Sequence, residues 1–138
     1  MCYLLFSFLL DRQGNRRGIM QHLNYQSMKA IVSSKLKGHM CGTNLIDVRE
    51  TEEVKASGTI PLSINVPLGV LEKALEREQE YFLQHFDAPK PPPGDTLIVF
   101  CKAGSRAAKA SDVAVHCGYK RTKFYPGGWD EWSKYSKE

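Results

Sequence analysis

The four cysteines of this 138-residue chain, Cys2, Cys41, Cys101 and Cys117, form no C-x-x-C pair and no regular spacing. Neither a disulfide framework nor a cysteine zinc site is written into it. Histidine is also scarce, at four residues. His39 and Cys41 stand two apart with no second pair nearby, so no metal site and no cofactor are expected, and His22, His85 and His116 read as surface or partly packed side chains. Long apolar runs are missing. Leu4 to Leu10 is far shorter than the roughly 20 residues of a membrane-spanning helix, and no basic residue precedes it as in a secretory signal. No internal repeat is present. Acidic residues are nearly absent from positions 1–41, where Asp11 stands against six Lys and Arg for a net +5. Positions 42–138 carry 13 basic and 14 acidic side chains, a net −1. The basic balance therefore lies outside the core of the chain, which argues against a nucleic-acid surface. No nucleic-acid or membrane partner is expected.

The composition, 42% hydrophobic and 25% charged with mean hydropathy −0.37, is that of a globular domain. A chain of this length holds one domain and buries roughly two thirds of its unfolded surface, so it needs no covalent staple. Unpatterned cysteines suit a reducing compartment, where each is either apolar filling or a reactive thiol. Arg12, Arg16 and Arg17 after an apolar stretch resemble a mitochondrial presequence; the alternative is a disordered extension before a later start at Met20 or Met28. The expected division is an extension over 1–20 and a domain over 21–138, in the cytoplasm or the mitochondrion, acting as a monomer.

Short apolar runs alternate with helical patterns. Strands are expected at Leu23–Tyr25, Leu45–Val48, Ser63–Val66, Leu97–Phe100 and Thr122–Tyr125. Helices are expected at Gln26–Leu36, Glu50–Ala56, Leu68–Phe86, Arg106–Cys117 and Trp129–Lys134, with Gly118 stopping the fourth. Leu71, Leu75 and Phe82 make one apolar stripe along Leu68–Phe86. Pro91-Pro92-Pro93 reads as a stiff connector. Leu97-Ile98-Val99-Phe100, apolar on both faces, suits the middle of a parallel sheet. The pattern is an α/β fold with helices on both faces.

One loop carries chemistry. Cys101-Lys102-Ala103-Gly104-Ser105-Arg106 lies where this buried strand hands over to a helix, the usual place for ligands in open α/β folds. Backbone N–H groups there can converge into an anion-binding nest. Gly104 permits a positive φ or a close approach. The helix N-terminus, Lys102 and Arg106 add positive charge. A thiolate on Cys101 is favoured in such a field, and no adjacent general base is required. Core filling is the plain alternative for a cysteine after a buried strand.

Four segments in order extend the argument: Leu45-Ile46-Asp47-Val48-Arg49-Glu50, Gly58 to Pro67, Cys101 to Arg106, and Gly127-Gly128-Trp129-Asp130-Glu131-Trp132. Together, over residues 23–135, the chain resembles the single-domain rhodanese-like thiosulfate sulfurtransferases. Thr59 and Leu62 depart from that family's pattern, which usually has His and Gly there. Lys102 stands where the family often has Arg. The resemblance implies a five-stranded, mainly parallel sheet with helices on both faces. It implies that Cys101 takes sulfur from thiosulfate as a persulfide, held by Lys102, Ala103, Gly104, Ser105 and Arg106, and passes it to cyanide or to a thiol such as glutathione or thioredoxin. Arg106 would orient the loop and the donor, and Asp47 and Arg49 would brace the site.

Two rivals remain at this level. A cysteine phosphatase or arsenate reductase also cradles an oxyanion, but a phosphatase loop needs five residues between Cys and Arg, against four here. A non-catalytic rhodanese-like interaction module would usually lack the cysteine. Cys117 lies some three turns along the following helix, at 1.5 Å per residue too far to resolve a persulfide on Cys101, and reads as core.

Overall fold

The computed structural model describes residues 22–137. The extension over 1–20, with Cys2 and the Arg12, Arg16 and Arg17 cluster, lies outside the described residues. Four strands form one parallel sheet: β1 (Thr43–Asp47), β2 (Ser63–Asn65), β3 (Thr96–Phe100) and β4 (Thr122–Tyr125), in the order β2-β1-β3-β4. Among the described residues six helices connect and cover them: α1 (Tyr25–Leu36), α2 (Thr51–Ser57), α3 (Leu68–Glu76), α4 (Gln79–Phe86), α5 (Ser105–His116) and α6 (Gly128–Tyr135).

The central strands alternate their side chains between two cores. Ile46, Leu97, Val99 and Phe124 pack with Leu71, Leu75 and Phe82 of α3 and α4 and the small residues Ala107, Ala110 and Ala114 of α5. Leu45, Ile98, Phe100 and Tyr125 pack on the other face with Met28 and Val32 of α1 and Trp132 of α6. Fully burying a side chain of this size contributes about 1.5–3 kcal/mol, so the continuous apolar run of β3 is held from both sides. The alanine stripe lets α5 lie close over the sheet end that carries Cys101.

Two expectations are corrected. The sheet has four strands among the described residues, not five. Leu23–Tyr25 contributes only an isolated parallel bridge, His22 to Phe124, with Leu23 N–H donating to Phe124 O at 3.1 Å. The Asn24 side chain accepts from Ser27 N–H at 2.9 Å, so Asn24 caps α1 and sends Tyr25 into the helix. Leu68–Phe86 is two helices, broken at Arg77 and Glu78, whose backbones are extended. A continuous helix would have turned Glu78 or Gln79 onto the apolar stripe. The break leaves Glu78 exposed and lets Gln79 exchange two hydrogen bonds with the Lys90 backbone, at 2.8 and 2.9 Å.

Candidate active site

The carboxyl ends of β3 and β4, the first turn of α5 and the start of α6 converge on Cys101. The Cys101 side chain is buried, and its Sγ accepts two backbone hydrogen bonds, from Gly104 N–H at 3.0 Å and from Ala107 N–H at 3.4 Å. Gly104 takes φ +109° as the N-cap of α5, a conformation that favours glycine. A Cβ there would also stand 2.9 Å from Pro126 O. The sulfur thus sits where the first turn of a helix aims its free N–H groups, which stabilises negative charge on it.

The carbonyls of the loop are held from the other side. Trp129 N–H donates to Cys101 O at 2.8 Å and Asp130 N–H donates to Lys102 O at 3.1 Å. The first turn of α6 therefore uses its own free donors to fix the loop. Gly128, at φ +59°, is where this contact is closest.

A buried ion pair stands beside it. Asp47 and Arg49 are both fully buried, with Arg49 Nη2 donating to Asp47 Oδ2 at 2.8 Å and Arg49 Nε to Oδ1 at 3.1 Å. The remaining guanidinium donors reach Ser57 Oγ and Gly58 O, at 2.9 and 2.8 Å. Thr59 Oγ1 donates to Asp47 Oδ2 at 2.6 Å, so its hydroxyl also serves the buried carboxylate. Asn65 Nδ2 donates to Asp47 O and Arg49 O. Every charged atom of this enclosed pair has a hydrogen-bond partner; removing one partner of such a pair costs about 3–5 kcal/mol. Arg49 Cζ lies 5.3 Å from the Trp129 ring centroid, which ties the ion pair to the first turn of α6.

Of the loop residues singled out from sequence, Gly104 directs its N–H to the sulfur, while Ala103 and Ser105 are exposed on the crest. Lys102 is exposed and its Nζ bonds Asp130 Oδ1 at 3.0 Å. Arg106 turns both terminal nitrogens to Glu53, at 2.6 and 3.1 Å. That bonding, with Arg106 as first cause, holds the Glu53 carboxyl at about 2. Glu53 also closes the capping box of α2 by accepting from Glu50 N–H at 3.1 Å. Sequence reasoning assigned no role to Glu53, Asp130, Asn65 or Ala107, although Asn65 and Asp130 lie in two of the segments quoted above. Of these, Glu53 alone left a local trace, in the Glu50-x-x-Glu53 spacing at a helix start.

Cys117 caps the end of α5 against the α3–α5 core, and burial pushes its thiol above the ordinary value, with Glu76 and Glu72 adding to the effect. Cys41 is exposed. Among the described residues no three His, Cys, Asp or Glu side chains cluster as metal ligands would, and no helix is long and apolar enough to cross a membrane.

Comparison with known proteins gives concordant matches. The family model of the rhodanese-like domain matches residues 32–135. The chain is 37% identical over 113 residues to the mouse (Mus musculus) thiosulfate sulfurtransferase/rhodanese-like domain-containing protein 3, covering 82% of this chain and 68% of that protein. It is 40% identical over 89 residues to the human thiosulfate:glutathione sulfurtransferase, covering 64% and 76%. The solved structure of the Saccharomyces cerevisiae single-domain sulfurtransferase RDL2 superposes with a TM-score of 0.75 at 30% identity, covering 87% of this chain and 94% of that one.

Proposed function

The chain belongs to the family of rhodanese-like domains, and from that premise we propose that it is a thiosulfate sulfurtransferase whose Cys101 carries the sulfur. Its relatives support the reaction class. The observation that carries the assignment to Cys101 is the pair of backbone N–H groups, from Gly104 and Ala107, aimed at its sulfur at the end of β3.

The reaction runs in two balanced halves. The Cys101 thiolate attacks the outer sulfur of thiosulfate, an S–S bond forms, and the bond to the sulfonate sulfur breaks with its electron pair leaving on sulfite. The charge that began on the thiolate leaves with sulfite, and the outer sulfur of the persulfide keeps the negative charge it carried in thiosulfate. The crest from Lys102 to Arg106 encloses that atom, and the helix N-terminus stabilises it. A thiolate acceptor next attacks the outer sulfur, forms its own persulfide, and returns Cys101 as thiolate. No oxidant or reductant is consumed. Glutathione is the acceptor we assign, because the human relative bears that name; cyanide serves in an assay.

Arg106 orients the loop by its bidentate hold on Glu53, and Asp47 and Arg49 brace the turn beneath it without reacting. The same commitment of Arg106 speaks against a phosphatase, which needs that guanidinium on the oxyanion.

Protein treated with thiosulfate should gain the mass of one sulfur atom on Cys101 and lose it on addition of cyanide, as thiocyanate. Cys101→Ser should abolish both, and Cys117→Ser should leave most turnover. A wild-type protein forming neither persulfide nor thiocyanate would overturn the reading, and equal loss in Cys117→Ser would refute the packing role of that residue.

A further inference from the structure

Each cation of the Cys101 loop is matched by one carboxylate. Arg106 pairs with Glu53 and Lys102 with Asp130, so these four side chains bring no net charge to the mouth of the site. The positive field at the sulfur comes from backbone N–H groups and the start of α5. The two pairs differ in strength. Arg106 grips Glu53 with two nitrogens, and the capping box fixes Glu53 in place. Lys102 offers Asp130 a single flexible ammonium, and the two side chains are 57% and 50% exposed. That pair is the weak one and opens readily. Asp130 itself is held: it lies in the first turn of α6, and its N–H donates to Lys102 O at 3.1 Å. Its carboxylate therefore stays within reach of the ammonium whenever the loop is closed.

Resting on the persulfide reading of Cys101, we propose that Asp130 is a specificity-determining residue, whose carboxylate competes with a dianionic sulfur donor for the Lys102 ammonium. Thiosulfate binds with Lys102 turned from Asp130 to the sulfonate oxygens. A monoanionic organic thiosulfonate, which transfers its outer sulfur to the same thiolate and leaves as a sulfinate, gains less from that exchange. Asp130 thereby lowers the preference of the site for the more highly charged donor. Because an exposed pair is weak, the effect is a tuning of affinity and not a barrier to turnover.

The test measures kcat and KM with thiosulfate and with benzenethiosulfonate in the full chain. Asp130→Asn should lower the thiosulfate KM about three- to fivefold. The thiosulfonate KM should move less, and kcat should change less than either. In a Lys102→Met background the same substitution should have no effect on the ratio of the two KM values. An unchanged or raised thiosulfate KM, an equal shift for both donors, or a gain that persists without Lys102 would overturn the proposal. Asp130→Ser carries the same readout if the Asn variant fails to fold. Thiosulfate affinity of the Cys101→Ser protein, read by tryptophan fluorescence with and without Asp130→Asn, tests the competition without turnover. A tighter affinity there is the expected result and stands even if the wild-type chain forms no persulfide, the outcome that sinks the Cys101 reading alone; an unchanged affinity would overturn the Asp130 competition.

Discussion

Gly128 carries two constraints at once. Its φ is +59°, and a Cβ added to it would meet Cys101 O and stand 2.6 Å from Lys102 O. Both carbonyls accept from the N–H groups of the next two residues, Trp129 and Asp130, so the loop cannot yield without breaking the bonds that hold it. Gly128→Ala should destabilise the fold by about 2–3 kcal/mol from backbone strain and displaced contacts. It should also slow persulfide formation more than ten-fold, because sulfur placement within fractions of an ångström sets such rates. Urea melts and single-turnover kinetics measure the two effects; a variant with normal stability and rate would contradict the geometry. Leu62 is the opposite case. It holds φ +67° with its side chain 53% exposed, so it carries the steric cost of a left-handed residue without full burial in return. Leu62→Gly should leave stability unchanged or raise it by up to about 1 kcal/mol in urea melts. A clear loss would mean that the exposed leucine makes a contact worth more than the strain.

At the scale of elements, two helix starts face one another across the loop. α5 gives its first N–H groups to the sulfur, and α6 gives its own to the carbonyls of Cys101 and Lys102. The first favours negative charge and the second fixes the chain that presents it. This half of the site was legible in sequence because its signals are local: an apolar strand, a cysteine, a glycine and a helical alanine stripe within 18 residues, Leu97 to Ala114. The same locality explains β3, whose apolar run Leu97–Phe100 needs no distant partner to be recognised. What was not legible is long-range. Glu53 meets Arg106 across 53 positions and Asp130 meets Lys102 across 28, and no periodicity marks either. The break between α3 and α4 was hidden for a related reason. Leu71, Leu75 and Phe82 keep helical phase through it, and the Gln79–Lys90 clasp that stabilises the break spans 11 positions. Leu23–Tyr25 failed as a strand because capping by Asn24 competes with pairing, and the cap wins after a single bridge.

For the molecule as a whole, the Arg106–Glu53 pair joins two βα units that also pair through the sheet. Glu53 belongs to the helix after β1 and Arg106 to the helix after β3. Closing this link keeps the Asp47–Arg49 brace and the Cys101 loop in one frame. The link should be visible in the acid limb of stability. The hydrogen bond from Arg106 holds the Glu53 carboxyl at about 2, against an ordinary value of 4.5. A carboxyl lowered in the folded state stabilises fully above the unfolded value, and that stabilisation fades as pH falls through the folded one. The contribution is therefore complete above pH 4.5 and lost towards pH 2. Both side chains are about one third exposed, so solvent screening limits it to about 1 kcal/mol. Glu53→Gln removes the ionisation while keeping the shape. In urea melts the gap between wild type and this variant should be constant at neutral pH, begin to close below pH 4.5 and nearly vanish by pH 2. A gap that stays constant throughout would show that Glu53 acts through the capping box of α2 alone. In that case the two βα units would be held in register by the sheet and the Asp47–Arg49 brace without help from Arg106.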